Sequence, residues 1–464
     1  MTGPGQLRRV LGVGDVVLFF IVAVVGLRWI AAAAAAGPSS LVIWAIACIA
    51  IFIPSAFTVL ELSSRYPEEG GLYLWVKEAF GERAGFIAGW LYWASNLVYF
   101  PGLLYFAAGN ALFIGGSHWI GLSGSATYYI LFSLAGLALA CWLNVVGLDV
   151  GKHLHNVGAW AAWVPVALLM LMGLAAWARF GVANDFSPAA LVPSTHLADI
   201  VFWSTLAFAF GGFETASLMG GEIKDAARTV PRAVLLAGFA IVAIYVGGTL
   251  AVLVALPRSE VSGIQGIMQA IEHTAVRVGL GPVVPVAAIL VTVSSLGGVG
   301  AWLAAAGRLP YVAGIDRAAP SVFGKLHPKW GTPATALIVQ SAVAGVFIVL
   351  GQAGTTVRAA YDVLVNMCII CFFIPYVMMF AAMIRVQSFP AGPGVRRPPG
   401  GRPVAVLLGA LGAVATTLSI ALACLPGANE THPTIAVIKV VGLNIGLVAM
   451  GFVMYGMAKR KTAA

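Results

Sequence analysis

Two charged residues lie beside glycines inside long apolar segments of this chain. Arg28 follows Gly26 closely, and Glu214 follows Gly211 and Gly212. Glycine weakens a helix, so both segments are predicted to lose their regular backbone bonding at these positions. An unwound turn leaves backbone amides and carbonyls free to hold an ion or a small ligand. With a cation at one interruption and an anion at the other, the pattern predicts a polar binding site inside an apolar protein.

The elements that carry these residues are predicted to be membrane-spanning helices. The 464 residues are 60% hydrophobic and only 9% charged, with 55 glycines spread along the chain. A hydrocarbon layer about 30 Å thick requires about 20 apolar residues per helix. The apolar runs are continuous rather than alternating, which favours helices over barrel strands, and we predict an all-α membrane protein. Twelve segments qualify: 13–36, 41–62, 84–114, 126–146, 156–178, 198–220, 233–256, 282–307, 333–351, 359–384, 403–424 and 433–456.

The first and sixth of these segments carry the glycine interruptions, at matching places in the two halves of the chain. We expect one membrane domain over 1–464, made of a five-helix repeat at 10–179, a second at 196–386, and two extra helices at 403–457. Because five is odd, two consecutive repeats must cross the membrane in opposite directions. Interrupted helices in corresponding halves of an inverted repeat are typical of the substrate site of a secondary transporter.

The distribution of basic residues predicts the orientation. The chain has 26 Lys and Arg against 17 Asp and Glu, a net charge of +9, and most basic residues fall in loops on the side of the N-terminus. Basic loops stay in the cytoplasm, so we expect a multi-pass protein of the cytoplasmic membrane with both termini inside. Contact with anionic lipid accounts for the excess charge, and no nucleic acid partner is implied. The connector 387–403, rich in Pro, Gly and Arg, is predicted to be a flexible cytoplasmic loop.

Several separated motifs, in order along the chain, carry a family resemblance. Together they resemble the amino acid, polyamine and organocation (APC) superfamily of transporters over about residues 10–456, and are most similar to its glutamate/GABA antiporter branch. The resemblance implies a five-plus-five inverted repeat of the LeuT type with helices one and six broken. The motifs lie at 61–71, 208–214, 221–225, 228–233, 294–302, 308–320 and 331–333.

The resemblance also implies roles for residues at the two breaks. The unwound turn of helix one would present backbone amides to a substrate carboxylate, and that of helix six would offer carbonyls to its ammonium group. Phe208 and Trp302 match aromatic gates over the ligand, and Glu214 matches a carboxylate that takes part in gating. The residues of the first turn are Val25, Gly26, Leu27, Arg28 and Trp29, and those of the second are Phe210, Gly211 and Gly212.

The chain departs from this pattern at Arg28 and Trp29, where many relatives carry small residues. A guanidinium near the middle of a bilayer is costly, which suggests a function. In one hypothesis Arg28 binds a substrate carboxylate or pairs with Glu214 in a gate. In the other it points away from the site and bonds helix carbonyls or reaches the membrane surface. Tyr99, beside Pro101 in the third segment, is a further candidate for lining the substrate path.

The coupling ion is left open by the sequence. Ser294 and Ser295 supply a pair of hydroxyls of the kind that sodium-coupled members of this fold use, but two serines can equally hydrogen-bond to their own helix. Glu214 is the buried carboxylate that could carry a proton. Exchange of one solute for another requires neither H+ nor Na+.

The function that we expect is secondary active transport of an amino acid by alternating access around a site at mid-depth. A polyamine or another amine is the alternative substrate, although Arg28 would repel it. A membrane sensor without transport is a second alternative, but the chain has no sizeable soluble output domain. No catalytic set of residues lies in the apolar segments, so we expect no enzyme activity and no cofactor or metal.

Overall fold

The computed structural model describes residues 9–463 apart from 69, 196, 263, 316–319, 352–356, 393 and 426–432. These residues form helices and loops, and one isolated bridge pairs Leu11 with Ile223. The all-helical class predicted from continuous apolar runs is thereby confirmed for the described chain. The α-helices are Val13–Val24 (α1), Leu27–Ala36 (α2), Ser40–Ala47 (α3), Ile53–Arg65 (α4), Leu72–Phe80 (α5), Glu82–Ala111 (α6), Ser117–Ile120 (α7), Ala126–Val146 (α8), Leu148–Phe180 (α9), Pro188–Leu191 (α10), Leu197–Ala209 (α11), Ala226–Ala255 (α12), Gly266–Arg277 (α13), Val283–Ile315 (α14), Ala334–Gly351 (α15), Val357–Val386 (α16), Gly401–Ala423 (α17) and Pro433–Ala463 (α18).

Nine helical stretches within the described chain are long and apolar enough to cross a bilayer. One of them, Ser40–Arg65, joins α3 to α4 through a π-helical turn at Cys48–Phe52. The bent pair α1 and α2 makes a tenth candidate. The two remaining predicted segments are also helical, but α15 is short and the sixth segment is broken after α11. The twelve-helix count and the inverted repeat stay predictions.

Helix α6 lies at the centre of the packed helices, with 94% of its most apolar stretch buried. It packs against α14 and α16, while α12 packs against α1, α2 and α4. Helices α9 and α14 approach backbone to backbone, because a Cβ atom on Gly158 would lie 2.8 Å from Cα of Gly297. This close approach also brings Gly297 against Val22 of α1, so α14 runs beside the last turns before the first break.

Candidate functional site

The helix of the first apolar segment is interrupted at Gly26, as the sequence predicted. Helix α1 ends at Val24, helix α2 begins at Leu27, and the two are bent by 41°. Val25 and Gly26 between them have extended ψ angles of 96° and 105°. A Cβ atom at Gly26 would lie 2.5 Å from Nε1 of Trp29, so only glycine leaves room for this indole. Helix α2 therefore begins inside the protein. The N–H groups of its first turn have no carbonyl of the same helix to which they could donate.

The sixth apolar segment is broken as well. Helix α11 ends at Ala209, and the chain resumes as a 3-10 helix at Thr215–Glu222. Between them Gly212 has a φ of 122°, a conformation that side chains other than glycine rarely adopt. A Cβ atom there would also lie 3.1 Å from Val24 and 3.2 Å from Trp302. Glycine thus allows the two breaks to approach each other and α14.

One tyrosine joins the two breaks directly. Tyr245 of α12 accepts a hydrogen bond from the N–H of Gly26, at 3.1 Å. Its hydroxyl lies 2.5 Å from the carbonyl oxygen of Val24 and 2.8 Å from that of Ala209, and shares its single proton between them. Its ring stacks on Trp44 at 4.6 Å. Tyr245 therefore satisfies backbone groups that both interrupted helices expose, a role that the sequence did not predict.

Arg28 lies in the first turn of α2 and is only 2% exposed. Its guanidinium carbon is 4.2 Å from the centre of the Trp29 ring and 4.6 Å from that of Tyr99. Aromatic faces attract a cation, more strongly when water is excluded. The structure thus directs Arg28 inward, toward Tyr99 of α6, and gives its charge aromatic neighbours.

A narrow cavity lies beside Arg28. It contains about 190 Å³ of empty space, none of it wide enough for a water-sized sphere. Because not even a water-sized sphere fits, the cavity is closed here and must widen to admit a solute. Four of the predicted site residues line it, Arg28, Trp29, Tyr99 and Phe208, together with Val98, Gly102, Leu364, Val365 and Cys368.

A layer of aromatic side chains covers one end of this cavity. The Trp302 ring lies 5.2 Å from that of Tyr99 and 5.8 Å from that of Phe372, and Phe372 lies 5.1 Å from Phe208. The indole N–H of Trp302 donates to the carbonyl of Ala23, at 2.7 Å. This hydrogen bond holds α14 against the last turn of α1.

Glu214 lies in the same layer and is fully buried. Each of its carboxylate oxygens accepts a hydrogen bond, one from the hydroxyl of Tyr92 and one from that of Tyr376. The Tyr376 oxygen also accepts the N–H of Gly212, at 2.9 Å. The hypothesis that Arg28 pairs with Glu214 does not hold in this conformation, because within the described chain two tyrosines rather than Arg28 bind the carboxylate.

Three other predicted residues lie away from the cavity lining. The Phe210 ring packs behind the break, 5.4 Å from Trp44 and 5.3 Å from Phe52. Ser295 donates to the carbonyl of Val291 in its own helix, at 2.9 Å. Ser294 is buried on the neighbouring position of the same helix. Ser295 therefore hydrogen-bonds to its own helix, as the alternative to a sodium site proposed. Ion binding by Ser294 and Ser295 stays a prediction.

The aromatic layer stands between the cavity and the face where the N-terminal segment lies, which we call the N-terminal face. Tyr92 comes two helical turns before Tyr99 along α6, which is about 10 Å toward that face. The N–H groups of Val10 and Leu11 both donate to the carbonyl of Glu222, at 2.9 and 3.1 Å. The cavity is therefore separated from this face by the aromatic layer and by a paired backbone segment.

A buried ion pair closes the same face. Arg308 of α14 donates to both carboxylate oxygens of Glu222, at 2.8 and 2.9 Å, and to the carbonyl of Ala304 at 2.6 Å. The Arg308 and Glu222 side chains are 0% and 4% exposed. The pair ties the end of the broken sixth segment to α14, on the far side of the aromatic layer from Arg28.

Comparison with known proteins identifies the family. The model of the amino acid permease family matches residues 11–452, nearly the whole chain. The chain belongs to the amino acid permease family. This result confirms the APC superfamily resemblance that was based on the separated motifs, and it makes the chain a multi-pass membrane transporter.

Proteins similar in sequence to this permease are named as transporters or antiporters. An uncharacterized transporter of Legionella pneumophila is 28% identical over 431 residues, covering 90% of each chain. A probable agmatine/putrescine antiporter of Lactococcus lactis is 24% identical, over 76% of the permease and 75% of the relative. A glutamate/serine transporter of Bacillus subtilis is 25% identical, over 74% and 66% respectively. Relatives of the permease thus include proteins named for amino acids and for amines.

Proposed function

We propose that this permease carries an amino acid across the cytoplasmic membrane by alternating access around the Arg28 cavity. The observation that carries the proposal is the junction at Tyr245, where the ends of α1 and α11 meet. The same hydroxyl also binds the N–H of Gly26 at the start of α2, so an N-terminal and a C-terminal helix end lie close together. This arrangement is suited to a zwitterion, because helix N-termini favour anions and C-termini favour cations.

A substrate carboxylate would bind at the start of α2. Backbone N–H groups in the first turn of a helix are directed away from the helix, and the Arg28 guanidinium lines the cavity beside the first turn of α2. A guanidinium can grip a carboxylate with two parallel hydrogen bonds. The ammonium group would lie near the carbonyls of Phe210 and Gly211, after the end of α11. Tyr99 and Phe208 would then cover the side chain of the substrate.

The same geometry favours amino acids over amines. Arg28 is the charged residue among the described residues that line the cavity, and it would repel a polyamine. An agmatine- or putrescine-like substrate is the second candidate, supported by the relative named for those compounds. The twelve spanning helices, the inverted repeat and cytoplasmic termini complete the proposal, and the N-terminal face would then be the cytoplasmic one.

Tyr92, Glu214, Tyr376 and Trp302 would form the gate toward the N-terminal face. Opening would separate the broken helices from α6, α14 and α16, so the hydrogen bonds of Glu214 and Trp302 must break. Coupling remains one of three proposals: a proton on Glu214, sodium at Ser294 and Ser295, or exchange without an ion. Uptake into liposomes with a pH gradient, a sodium gradient, or internal substrate alone would distinguish these three.

A thermal-shift screen tests the substrate class. Purified permease would be heated with each of the twenty amino acids, GABA, agmatine and putrescine. A ligand that binds only the folded state at about 100 times its Kd stabilises it by about 2.7 kcal/mol, which is measurable as a rise in Tm. We expect at least one amino acid to raise the Tm and the amines not to. Stabilisation by amines alone would overturn the amino acid assignment.

A further inference from the structure

Among its described residues, the connector between α16 and α17 contacts the end of α4 at two places. The Arg65 guanidinium of α4 donates to the carbonyl of Pro390, at 2.9 Å. The N–H of Arg396 donates to the hydroxyl of Ser64, at 2.9 Å, and Pro398 is buried. The composition of the connector predicted a flexible loop. That prediction is wrong for these residues because the last turn of α4 supplies partners for its backbone.

A buried carboxylate organises this contact. Glu61 of α4 is 0% exposed and accepts a hydrogen bond from the side-chain amide of Gln387 at 2.8 Å. The guanidinium of Arg65 lies 3.3 Å from the same oxygen, and Nε of Arg397 lies 3.9 Å from it. Gln387 is the first residue of the connector, directly after the end of α16, whereas Arg397 lies near the other end of the connector. Glu61 thus holds the end of α16 and the connector at once.

The two helices joined by Glu61 pack against each other, and each is connected to a different part of the proposed gate. Helix α4 packs on α12, which carries Tyr245 and therefore holds the two breaks. Helix α16 carries Phe372 and Tyr376 of the aromatic layer. Opening of the N-terminal face would move these groups apart, and the contact from Glu61 to Gln387 and Arg397 would have to lengthen with them.

We infer that Glu61, Gln387 and the connector form a latch that holds the N-terminal face closed and so controls how often the gate opens. The inference rests on the proposed alternating access and adds a regulatory contact outside the substrate cavity. Its sensitive member is Arg397, because that side chain is 34% exposed and can leave Glu61 without unfolding a helix. A partly exposed ion pair contributes little energy, so releasing it should change the open fraction by up to about fivefold.

Hydrogen exchange of the permease in lipid nanodiscs tests the latch without a substrate. The variants are Arg397→Gln and Glu61→Gln, with the exposed residues Arg402 and Glu68 changed to Gln as matched controls. We expect faster exchange in two peptides of the latch variants, the connector 387–400 and the segment 215–222 behind the gate. The two controls should exchange as the unchanged protein does.

Comparing the exchange rates of the two peptides distinguishes a latch that controls the gate from a contact that only holds the connector in place. Faster exchange at 387–400 alone would overturn the inference, because the connector would then be docked without controlling the gate. Unchanged exchange at both peptides in Arg397→Gln would overturn it too, and this variant keeps the test valid if Glu61→Gln does not fold. Absence of amino acid uptake would instead overturn the proposed function, whereas the exchange rates would still report on the latch.

Discussion

The hydroxyl of Tyr245 accepts the N–H of Gly26, at 3.1 Å, and lies within hydrogen-bonding distance of the carbonyls that end α1 and α11. One side chain of an unbroken helix thereby fixes two helices that are broken. The breaks consequently have a defined geometry, since three of the backbone groups that they expose in the apolar interior are bonded to this one hydroxyl.

Replacing Tyr245 by Phe removes these bonds and keeps the ring that stacks on Trp44. Unpaired buried backbone groups cost about 1–3 kcal/mol, so we expect a clear fall in Tm and loss of ligand binding. Tyr105→Phe is the matched control, because the Tyr105 hydroxyl makes one bond, to the carbonyl of Ile348. If both variants unfold at the same temperature, Tyr245 does not hold the breaks.

Changing Arg28 to Gln should weaken binding of amino acids by roughly 10- to 100-fold, because hydrogen bonds to charged groups contribute about 1.5–3 kcal/mol. Arg28→Lys keeps the charge but loses the planar pair of donors. Its affinity for the amino acid should therefore lie between that of the unchanged protein and that of Arg28→Gln. Titrations followed by thermal shift would give the affinities. Arg277→Gln is the control, since Arg277 also lies over an aromatic ring, Phe180, but on an exposed site. Equal affinities in the Arg28 and Arg277 variants would contradict the carboxylate role.

Tyr92 and Tyr376 are predicted to act together on Glu214. Either change to Phe leaves one donor on the carboxylate, whereas the double change removes both. We therefore expect the double variant to lose more stability than the sum of the singles, by about 0.5–3 kcal/mol, in denaturant unfolding. Tyr129→Phe should be neutral, because this buried tyrosine of α8 packs against Tyr105 and Tyr128, away from Glu214. Strict additivity would show that the two tyrosines do not share this carboxylate.

Arg308→Met should remove the cation that binds both carboxylate oxygens of the buried Glu222, and so destabilise the fold by about 3–5 kcal/mol. Adding Glu222→Met should recover much of the loss, because removing both charges restores a neutral interior. The folded fraction after detergent extraction measures both effects. The exposed pair of Arg228 and Asp225, whose side chains are 71% and 58% exposed, provides a control that should change stability by less than about 1 kcal/mol. A double variant no better than Arg308→Met would contradict the pairing.

The breaks were predictable from sequence because glycines beside charges are rare in apolar helices and have a local physical meaning. The inward position of Arg28 followed less directly, since its ring partner Tyr99 comes from another helix. Tyr245, Tyr92 and Tyr376 were not predicted as site residues. A tyrosine in an apolar helix gives no local signal of its role, and each of these three makes a contact across more than 100 residues of chain, with Val24 for Tyr245 and with Glu214 for the other two.

The connector between α16 and α17 is a segment whose composition predicted too little structure. Its Pro, Gly and Arg content describes an isolated loop well, but its conformation is decided by donors and acceptors on α4 that only tertiary structure supplies. Composition therefore predicts what a segment does alone, whereas the partner surface decides what it does in the protein. Ser295 is the reverse case, because its hydroxyl donates to a carbonyl of its own helix, which local sequence alone can predict.

Counterflow of radiolabelled amino acids in liposomes tests the central claim most directly. Liposomes loaded with one unlabelled amino acid are diluted into its labelled form, with the unchanged permease and with Arg28→Gln. We expect label to accumulate with the unchanged permease for at least one amino acid, and we expect a large loss in Arg28→Gln that Arg277→Gln does not share. Accumulation that is equal in all three proteins, or that occurs for amines alone, would contradict it.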